Sequence, residues 1–167
     1  MDITIREAEA FDAEAIARIY NQGIEERAAT FETQPRTAHD IAVKLAERGR
    51  YPILVAAEGD GIIGWAGLST YRPRACYSGI AEFSIYVDRT ARTRGIGRRL
   101  LIALVDAARA RGYWKLVSRV FPFNTASRAL CQTCGFREVG IYEKHGQLDD
   151  RWLDVVIVER VIRENLD

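Results

Sequence analysis

One stretch in the middle of the chain constrains the fold most strongly, because a β-type run, a basic glycine-rich turn and an amphipathic segment follow one another directly. Residues 82–88 alternate as a strand does, and apolar residues recur at helical spacing across 96–108. Gly95 and Gly97 have no Cβ atom, so backbone N–H groups of this turn can approach a bulky anion closely. The helix N-terminus that follows adds partial positive charge. This order predicts a site for a phosphate-bearing ligand.

Four arginines surround these glycines within eight residues: Arg92, Arg94, Arg98 and Arg99. Guanidinium groups suit bidentate anion binding, which favours a ligand site over a generic turn. A dinucleotide-binding fold is the alternative, but it requires GxGxxG after the first strand and an acidic residue about twenty positions later. Here the glycines follow the fourth predicted strand in a GxG spacing, so the dinucleotide interpretation fails.

The composition limits the remaining possibilities. A chain of 167 residues, 48% hydrophobic and 28% charged, is ordinary for a soluble globular protein, and we expect one domain spanning residues 1–167. The net charge of +1 gives no reason to expect a nucleic acid or a membrane surface as partner. No apolar run approaches the ~20 residues that span a bilayer, and the start lacks the features of a signal peptide. We therefore expect a cytoplasmic protein.

The cysteines do not predict a metal site. Cys131 and Cys134 have CxxC spacing, but a zinc site needs a second pair of ligands, and His39 and His145 are not suitably spaced. Packing at a helix end is the favoured interpretation, and the three cysteines do not form a disulfide framework. We expect no metal.

The pattern along the chain predicts the order β-α-α-β-β-β-α-β-α-β-β. Asp12, Thr37 and Asn124 are predicted helix N-caps, and the apolar residues Ile41, Val43 and Leu45 follow Thr37. Strands are predicted at 2–6, 51–58, 62–71, 80–88, 115–121, 136–142 and 152–160, and helices at 12–25, after 37, at 95–111 and at 124–135. The order indicates an α/β (α+β) domain with a mixed sheet that is not doubly wound.

Several motifs resemble those of a known superfamily. R-T-R-G-I-G at 92–97 resembles the pyrophosphate loop of GNAT-superfamily N-acetyltransferases, and N-T-A-S at 124–127 and C-G-F at 134–136 resemble its later signatures. T-F-E-T-Q-P at 30–35, Y-R-P-R at 71–74 with Tyr77, and R-W-L-D at 151–154 are similar to the phosphinothricin, methionine-sulfoximine and arsinothricin acetyltransferases. The resemblance extends from about residue 3 to residue 160. It implies the GNAT fold, a splayed and mostly antiparallel sheet of about seven strands with about four helices.

The resemblance also implies acetyl-CoA as co-substrate. Backbone groups of Ile85 and Val87 would pair with the pantetheine arm, and N–H groups of residues 93–98 would hold the pyrophosphate. Ordinary strand core is the alternative for Ile85 and Val87, and a plain N-cap is the alternative for Asn124. The implied cofactor-binding set is Ile85, Tyr86, Val87, Arg92, Thr93, Arg94, Gly95, Ile96, Gly97, Arg98, Asn124 and Ser127.

Acetyl transfer to an amine needs a base, because the nitrogen must be neutral when it attacks. Glu82 is the candidate catalytic residue, since it lies in an otherwise apolar strand beside the turn. The structural alternative is a carboxylate paired with Arg72 or Arg74. The resemblance implies that the backbone N–H of Val87 stabilises the thioester oxygen as it becomes negative. Many superfamily members have a Tyr where this chain has Cys131, so the general acid stays unassigned.

The resemblance implies that the acceptor is the α-amine of a small glutamate-like amino acid, and that the activity gives resistance or detoxification. Arg72 and Arg74 would hold its anionic groups, and Phe31 and Tyr77 would contact its methylene chain beside Glu82. A homodimer is expected by the same resemblance. The alternatives are an N-acetyltransferase that acts on proteins or peptides, and a non-catalytic acyl-CoA-binding module.

Overall fold

The computed structural model describes residues 2–167. Within these residues, four α-helices and seven strands follow the predicted order, and three short 3₁₀ turns occupy Ala10–Asp12, Ala75–Tyr77 and Arg163–Asn165. The elements are β1 Ile3–Glu7, α1 Ala13–Glu26, α2 Ala38–Leu45, β2 Ile53–Glu58, β3 Gly61–Thr70, β4 Ile80–Val87, α3 Ile96–Ala110, β5 Lys115–Val120, α4 Thr125–Thr133, β6 Arg137–Leu148 and β7 Arg151–Val161. The predicted fold class, mixed α/β, is confirmed.

The seven strands form one sheet in the order β1-β2-β3-β4-β5-β7-β6. Every neighbouring pair is antiparallel except β4 and β5, which are parallel. The parallel pairing joins only residues 80–82 to residues 115–117, although β4 continues to Val87 and β5 to Val120. The two strands therefore diverge, which opens the sheet at its centre.

Helices cover the two faces of the sheet unequally. On one face, α3 and α4 pack over a large core that includes Phe83 and Leu104. On the other face, α1 and α2 bury Ile16 and Trp65 against β2 and β3, with Tyr86 of β4 packed on this cluster. Because side chains alternate along a strand, Glu82 shares the α1–α2 face with Tyr86.

Helix α3 follows the predicted pattern closely. Its six predicted inward residues are all buried: Ile96, Leu100, Leu101, Leu104, Val105 and Ala108. Gly95 at its N-cap has φ +75, and Gly112 just beyond its end has φ +85. Both values lie in the left-handed region, which glycine adopts without the steric cost of a Cβ atom. The helix therefore begins and ends where the sequence predicted.

Helix α2 begins at its predicted N-cap. Thr37 accepts a hydrogen bond from the Asp40 N–H at 3.1 Å, and Asp40 accepts one from the Thr37 N–H at 2.8 Å, a complete capping box. Ile41 and Leu45 are buried as expected. Val43, the third apolar residue of this segment, is 59% exposed. It lies two residues after Ile41, which places it on the opposite side of the helix.

The capping of α1 and the end of β6 differ from prediction. Asp12 stands at the N-cap of α1, but its carboxylate accepts hydrogen bonds from Arg6 and from the Glu9 N–H instead of capping that helix. Strand β6 extends to Leu148, beyond its predicted end at Tyr142. The register of its pairing with β7 shifts between Tyr142 and Gly146. The extension is an exposed edge, where apolar alternation is not required. None of the helices within residues 2–167 is both long and apolar enough to cross a membrane.

Candidate active site

The glycine-rich turn between β4 and α3 has an unusual backbone. Thr93 and Gly95 have φ of +65 and +75. A Cβ atom built on Gly95 would meet nothing within 4 Å, so glycine is favoured here by backbone conformation. A Cβ atom on Gly97 would lie 3.1 Å from Leu130 Cδ2, so this glycine permits the close packing of α3 against α4. The two glycines therefore serve different purposes.

Three of the four arginines around the turn fasten it to neighbouring elements. Arg92 donates two hydrogen bonds of 2.7 Å to Glu26 of α1. Arg94 donates to Glu58 of β2 at 2.6 and 3.1 Å, and Arg99 donates to the Ile3 carbonyl at 2.8 Å. Two of the predicted phosphate-binding guanidinium groups are thus already neutralised by carboxylates. Arg98 forms no ion pair with any residue of the described chain 2–167.

A buried carboxylate holds the start of the turn against α1. Asp88 follows β4 and accepts hydrogen bonds from Arg18 and from the N–H and hydroxyl of Thr90, the latter two at 2.9 and 2.7 Å. The Arg89 N–H donates to Gln22 Oε1 at 2.9 Å. Burial alone would raise the pKa of Asp88, but the bonds from Arg18 and Thr90 outweigh it and hold that pKa well below its usual range.

A cleft of about 430 Å³ lies between this turn, the divergent part of β4 and the start of α4, and we call it the glycine-turn cleft. Arg94 and Arg98 are the two members of the predicted cofactor-binding set that do not line it. The ten members that do are Ile85, Tyr86, Val87, Arg92, Thr93, Gly95, Ile96, Gly97, Asn124 and Ser127.

The backbone of β4 presents free polar groups to this cleft. The Phe83 carbonyl points toward β5, where it accepts a hydrogen bond from Ser118 Oγ at 3.0 Å. The Asp88 N–H points the opposite way and donates to the Ile63 carbonyl of the strand β3 at 2.9 Å. Because these directions alternate along a strand, the backbone groups of Ile85 and Val87 face the gap that β5 has left.

Asn124 connects the cleft to the N-terminus of α4. Its side-chain oxygen accepts from the Ser127 N–H at 3.2 Å, which confirms the predicted N-cap. Its amide group donates to the Ala28 carbonyl at 3.0 Å. Both ends of the Asn124 side chain are therefore occupied within the protein, and its contribution to the cleft is to hold α4 against the α1–α2 connection.

Glu82 lies where β4 and β5 begin to separate. Its Oε1 accepts a hydrogen bond from Arg119 Nη2 of β5 at 2.6 Å, and its side chain is 27% exposed. The alternative predicted from the sequence, a pair with Arg72 or Arg74, is wrong for this structure. Arg119 was missed because nothing near it in sequence marks it as a neighbour of β4; only the parallel pairing brings the two strands together.

Glu82 and Arg119 border two cavities. The inner cavity, of about 390 Å³, extends from Glu82 to the α1–α2 connection and α2, and Phe31, Ser118 and Cys131 also line it. It shares five wall residues of β4 and α4 with the glycine-turn cleft: Ile85, Tyr86, Asn124, Ser127 and Leu130. A molecule in the cleft can therefore reach the neighbourhood of Glu82.

Phe31 is held firmly at the wall of the inner cavity. Its ring packs edge-on against Phe121, with centroids 4.9 Å apart. It also lies against β6 at Gly146, where a Cβ atom would come within 3.0 Å of the Phe31 ring. The structure thus brings Phe31 to the same cavity as Glu82, as the resemblance implied.

The outer cavity, of about 340 Å³, lies on the other side of Glu82 and is lined by Arg72, Lys115, His145 and Glu159 among others. The Arg72 guanidinium lies 5.1 Å from the centroid of the Tyr71 ring. Arg74 lies 5.9 Å from the centroid of the Tyr77 ring, and neither of these two residues lines the inner or the outer cavity. The loop therefore brings Arg72 to a cavity that Glu82 also lines, whereas Arg74 and Tyr77 lie outside it.

Cys131 occupies the position where many superfamily members have a Tyr. It is 2% exposed. Burial, and to a lesser extent the neighbouring Cys134, raises the pKa of its thiol to about 12. Cys76, Cys131 and Cys134 are all free thiols. Within residues 2–167, no group of three or more His, Cys, Asp or Glu side chains is arranged to hold a metal ion.

Comparison with known proteins agrees with this architecture. Residues 5–157 match the acetyltransferase (GNAT) domain family. The L-methionine sulfoximine/L-methionine sulfone acetyltransferase of Pseudomonas aeruginosa is 33% identical over 162 residues, which cover 95% of this chain and 94% of that protein. The phosphinothricin N-acetyltransferase of Alcaligenes faecalis is 31% identical over 160 residues, covering 94% of this chain and 81% of that protein.

A solved structure is similar over the same length. A Salmonella typhimurium protein, solved with its cofactor acetyl-CoA, superposes with a TM-score of 0.93 at 29% identity, covering 97% of this chain and 95% of that one. The motifs, the splayed seven-stranded sheet and these similarities agree, and the chain belongs to the GNAT family of N-acetyltransferases.

Proposed function

We propose that this protein uses acetyl-CoA to acetylate the α-amine of a small glutamate-like amino acid, with phosphinothricin, methionine sulfoximine and arsinothricin as the candidate acceptors. The observation that carries the proposal is the position of Glu82, on the wall of a cavity that continues into the glycine-turn cleft. The relatives named for methionine sulfoximine and phosphinothricin support the acceptor class. The biological result would be detoxification or resistance.

The residues of the cleft fit acetyl-CoA. The backbone groups of Ile85 and Val87 face the gap and would pair with the pantetheine arm as an added strand does. The N–H groups of residues 93–98, at the start of α3, would hold the pyrophosphate, aided by the helix N-terminus and by Arg98. Because Arg92 and Arg94 pair with Glu26 and Glu58, we assign them first to shaping the turn.

Acetyl-CoA would supply an activated acyl carbon, and this chain's residues would prepare the amine that attacks it. An α-amine with pKa ~8 must lose its proton at a cost of roughly 1.4 kcal/mol at pH 7. Glu82 would accept that proton, directly or through a water. The N–H of Val87 would donate to the carbonyl oxygen as it becomes negative. The carbon–sulfur bond then breaks, the nitrogen loses its second proton to solvent as the amide forms, and the departing thiolate takes a proton from solvent.

For the acceptor, we propose that Arg72 and Arg119 bind the α-carboxylate next to Glu82. Arg72 lines the outer cavity with Glu82, and it pairs with no carboxylate among residues 2–167. Phe31 would contact the methylene chain in the inner cavity. Arg74 and Tyr77 would form the outer part of the same site, because they belong to the loop that positions Arg72.

Thiol release from acetyl-CoA across a panel of acceptors tests this function. We expect turnover with phosphinothricin or methionine sulfoximine and none with peptides that carry a free N-terminus or a lysine; reactions without acceptor give the background. Turnover with peptides alone would overturn the acceptor class. Calorimetric binding of acetyl-CoA without turnover of any acceptor would instead support an acyl-CoA-binding module.

We also propose that the protein is one GNAT domain over residues 1–167, cytoplasmic and homodimeric. The free thiols suit a reducing compartment. The hairpin of β6 and β7 bears large exposed apolar side chains that a second copy would cover: Val139, Ile141, Tyr142 and Trp152. Sedimentation of the wild type and of Trp152→Glu tests the dimer. Monomers at micromolar concentration in both cases would contradict it.

A further inference from the structure

Two cationic side chains converge on one aromatic ring at the end of the inner cavity away from Glu82. The Arg36 guanidinium carbon lies 5.8 Å from the centroid of the Tyr20 ring, and Lys44 Nζ lies 6.0 Å from the same centroid. All three residues line the inner cavity. Like charges repel at such a site unless an anion compensates them.

Only one of these two charges has a carboxylate within ion-pair distance, although Glu32 and Asp40 act on Lys44 from farther away. Arg36 pairs with Glu32 at 3.1 Å, and Glu32 also lines the cavity. Within residues 2–167, no carboxylate oxygen lies within 4.0 Å of Lys44 Nζ. The pKa of Lys44 is lowered, mainly because its ammonium is partly desolvated and secondly because the positive charge of Arg36 is near. The ammonium thus lies in surroundings that an added anion would improve.

Both cations are held on rigid backbone. The Arg36 N–H donates to Asn21 Oδ1 at 2.8 Å, and Asn21 Nδ2 donates to the Arg36 carbonyl at 2.9 Å. Lys44 lies on α2 between the buried residues Ile41 and Leu45, which fix the rotation of that helix. The pair is therefore preorganised, and binding an anion would not require ordering a loop.

The charge of the inner cavity matches an amino acid with an anionic side chain. Its walls bear three cations, Arg36, Lys44 and Arg119, and two carboxylates, Glu32 and Glu82, so the sum is 3 − 2 = +1. An α-amino acid with an anionic side chain has one positive and two negative groups, a net charge of −1. Opposite net charges favour binding in a partly enclosed cavity.

The connectivity of an amino acid decides which anion reaches this end. The α-carboxylate is one carbon from the amine, so it must stay next to Glu82, where Arg119 and Arg72 lie. The side chain extends several bonds farther and can follow the cavity toward α2. We propose that Arg36 and Lys44 bind the side-chain oxyanion of the acceptor, a carboxylate, phosphinate or related group; this inference rests on the proposed function.

Acceptors that differ in side-chain charge test the subsite. Steady-state kinetics would compare phosphinothricin, whose side chain is anionic, with methionine sulfone, whose side chain is neutral. We expect Lys44→Met to raise the KM for phosphinothricin about tenfold or more, as loss of a charged hydrogen bond does, and to change the KM for methionine sulfone less than about twofold. Lys44→Arg should retain most of the preference for phosphinothricin over methionine sulfone. Lys144→Met removes a charge outside the inner and outer cavities and should leave both KM values unchanged.

The outcomes separate this inference from the function on which it rests. Equal rises in KM for both acceptors after Lys44→Met, or no rise for either, would overturn the subsite while leaving the acetyltransferase proposal intact. If the wild type acetylates neither amino acid but does acetylate peptides, both proposals fail. Calorimetry with acetyl-CoA on each variant shows whether the cleft is still formed.

Discussion

Arg119 Nη2 donates a hydrogen bond of 2.6 Å to Glu82 Oε1, and both side chains border the inner and outer cavities. The candidate base is therefore not an isolated carboxylate. An acceptor whose own carboxylate approaches Arg119 would draw the guanidinium away from Glu82 and leave that oxygen available for the proton of the amine. In the proposed mechanism, binding of the acceptor carboxylate would therefore free Glu82 to accept the proton of the amine.

Replacing Glu82 with Gln tests the base directly. The amide preserves the shape of the side chain and can still accept a hydrogen bond from Arg119, but it cannot take a proton from the amine. We expect kcat to fall about 10²-fold or more, with the Kd for acetyl-CoA unchanged by calorimetry. Glu138→Gln is a matched control, because Glu138 also pairs with an arginine, Arg128 at 2.8 Å, but borders neither cavity. Turnover of Glu82→Gln close to wild type would remove Glu82 from the mechanism.

Gly95→Ala should damage the turn through backbone conformation. A Cβ atom there meets nothing within 4 Å, but φ +75 is unfavourable for alanine. We expect a loss of about 1–2 kcal/mol in the free energy of unfolding and weaker acetyl-CoA binding, measured by urea denaturation and calorimetry. A Cβ atom on Gly49 also meets nothing within 4 Å, and Gly49 has no positive φ. Gly49→Ala should therefore change neither the free energy of unfolding nor acetyl-CoA binding much. Equal effects of both substitutions would contradict this account.

The buried carboxylate of Asp88 predicts a pH-dependent stability. Its folded pKa lies below the unfolded value of about 3.9, so it stabilises the folded protein above that pH, and the contribution disappears as the pH falls through the folded pKa. We expect Asp88→Asn to lose about 2 kcal/mol of unfolding free energy at pH 7. The difference from wild type should shrink as the pH falls below 4.

Urea denaturation at a series of pH values measures this difference. Asp106→Asn is a suitable control, because Asp106 forms an exposed pair with Arg109 on one helix and should contribute less than about 0.5 kcal/mol. A gap between wild type and Asp88→Asn that stays constant down to pH 3 would contradict the assigned role of the charge.

The three thiols should differ sharply in reactivity. Cys76 is exposed, whereas Cys131 and Cys134 are buried, and the pKa of Cys131 is raised to about 12, so little thiolate is present at neutral pH. A disulfide reagent that detects thiolates should modify one cysteine quickly in the folded protein and three after denaturation. Cys76→Ser should abolish the fast reaction. Fast modification of Cys131 in the folded protein would contradict its burial and its raised pKa.

Much of the site was predictable because its signals are local. The turn that begins α3 depends on glycine at a position with positive φ, and the start of α4 depends on Asn124 three residues before Ser127. Helical periodicity identified every buried residue of α3. Family resemblance then associated these local features with a function, and the GNAT fold that it implied is the fold observed.

Apart from the extension of β6 and the cap of α1, the sequence by itself determined where the strands, caps and turns lie, because those depend on backbone conformation and side-chain spacing over a few residues. Only the tertiary structure decided that Glu82 meets Arg119, and that Arg94 of the turn meets Glu58. The partners in these pairs are separated by 37 and 36 positions along the chain. A local sequence pattern cannot predict such contacts, because the register and the divergence of the strands determine which side chains meet.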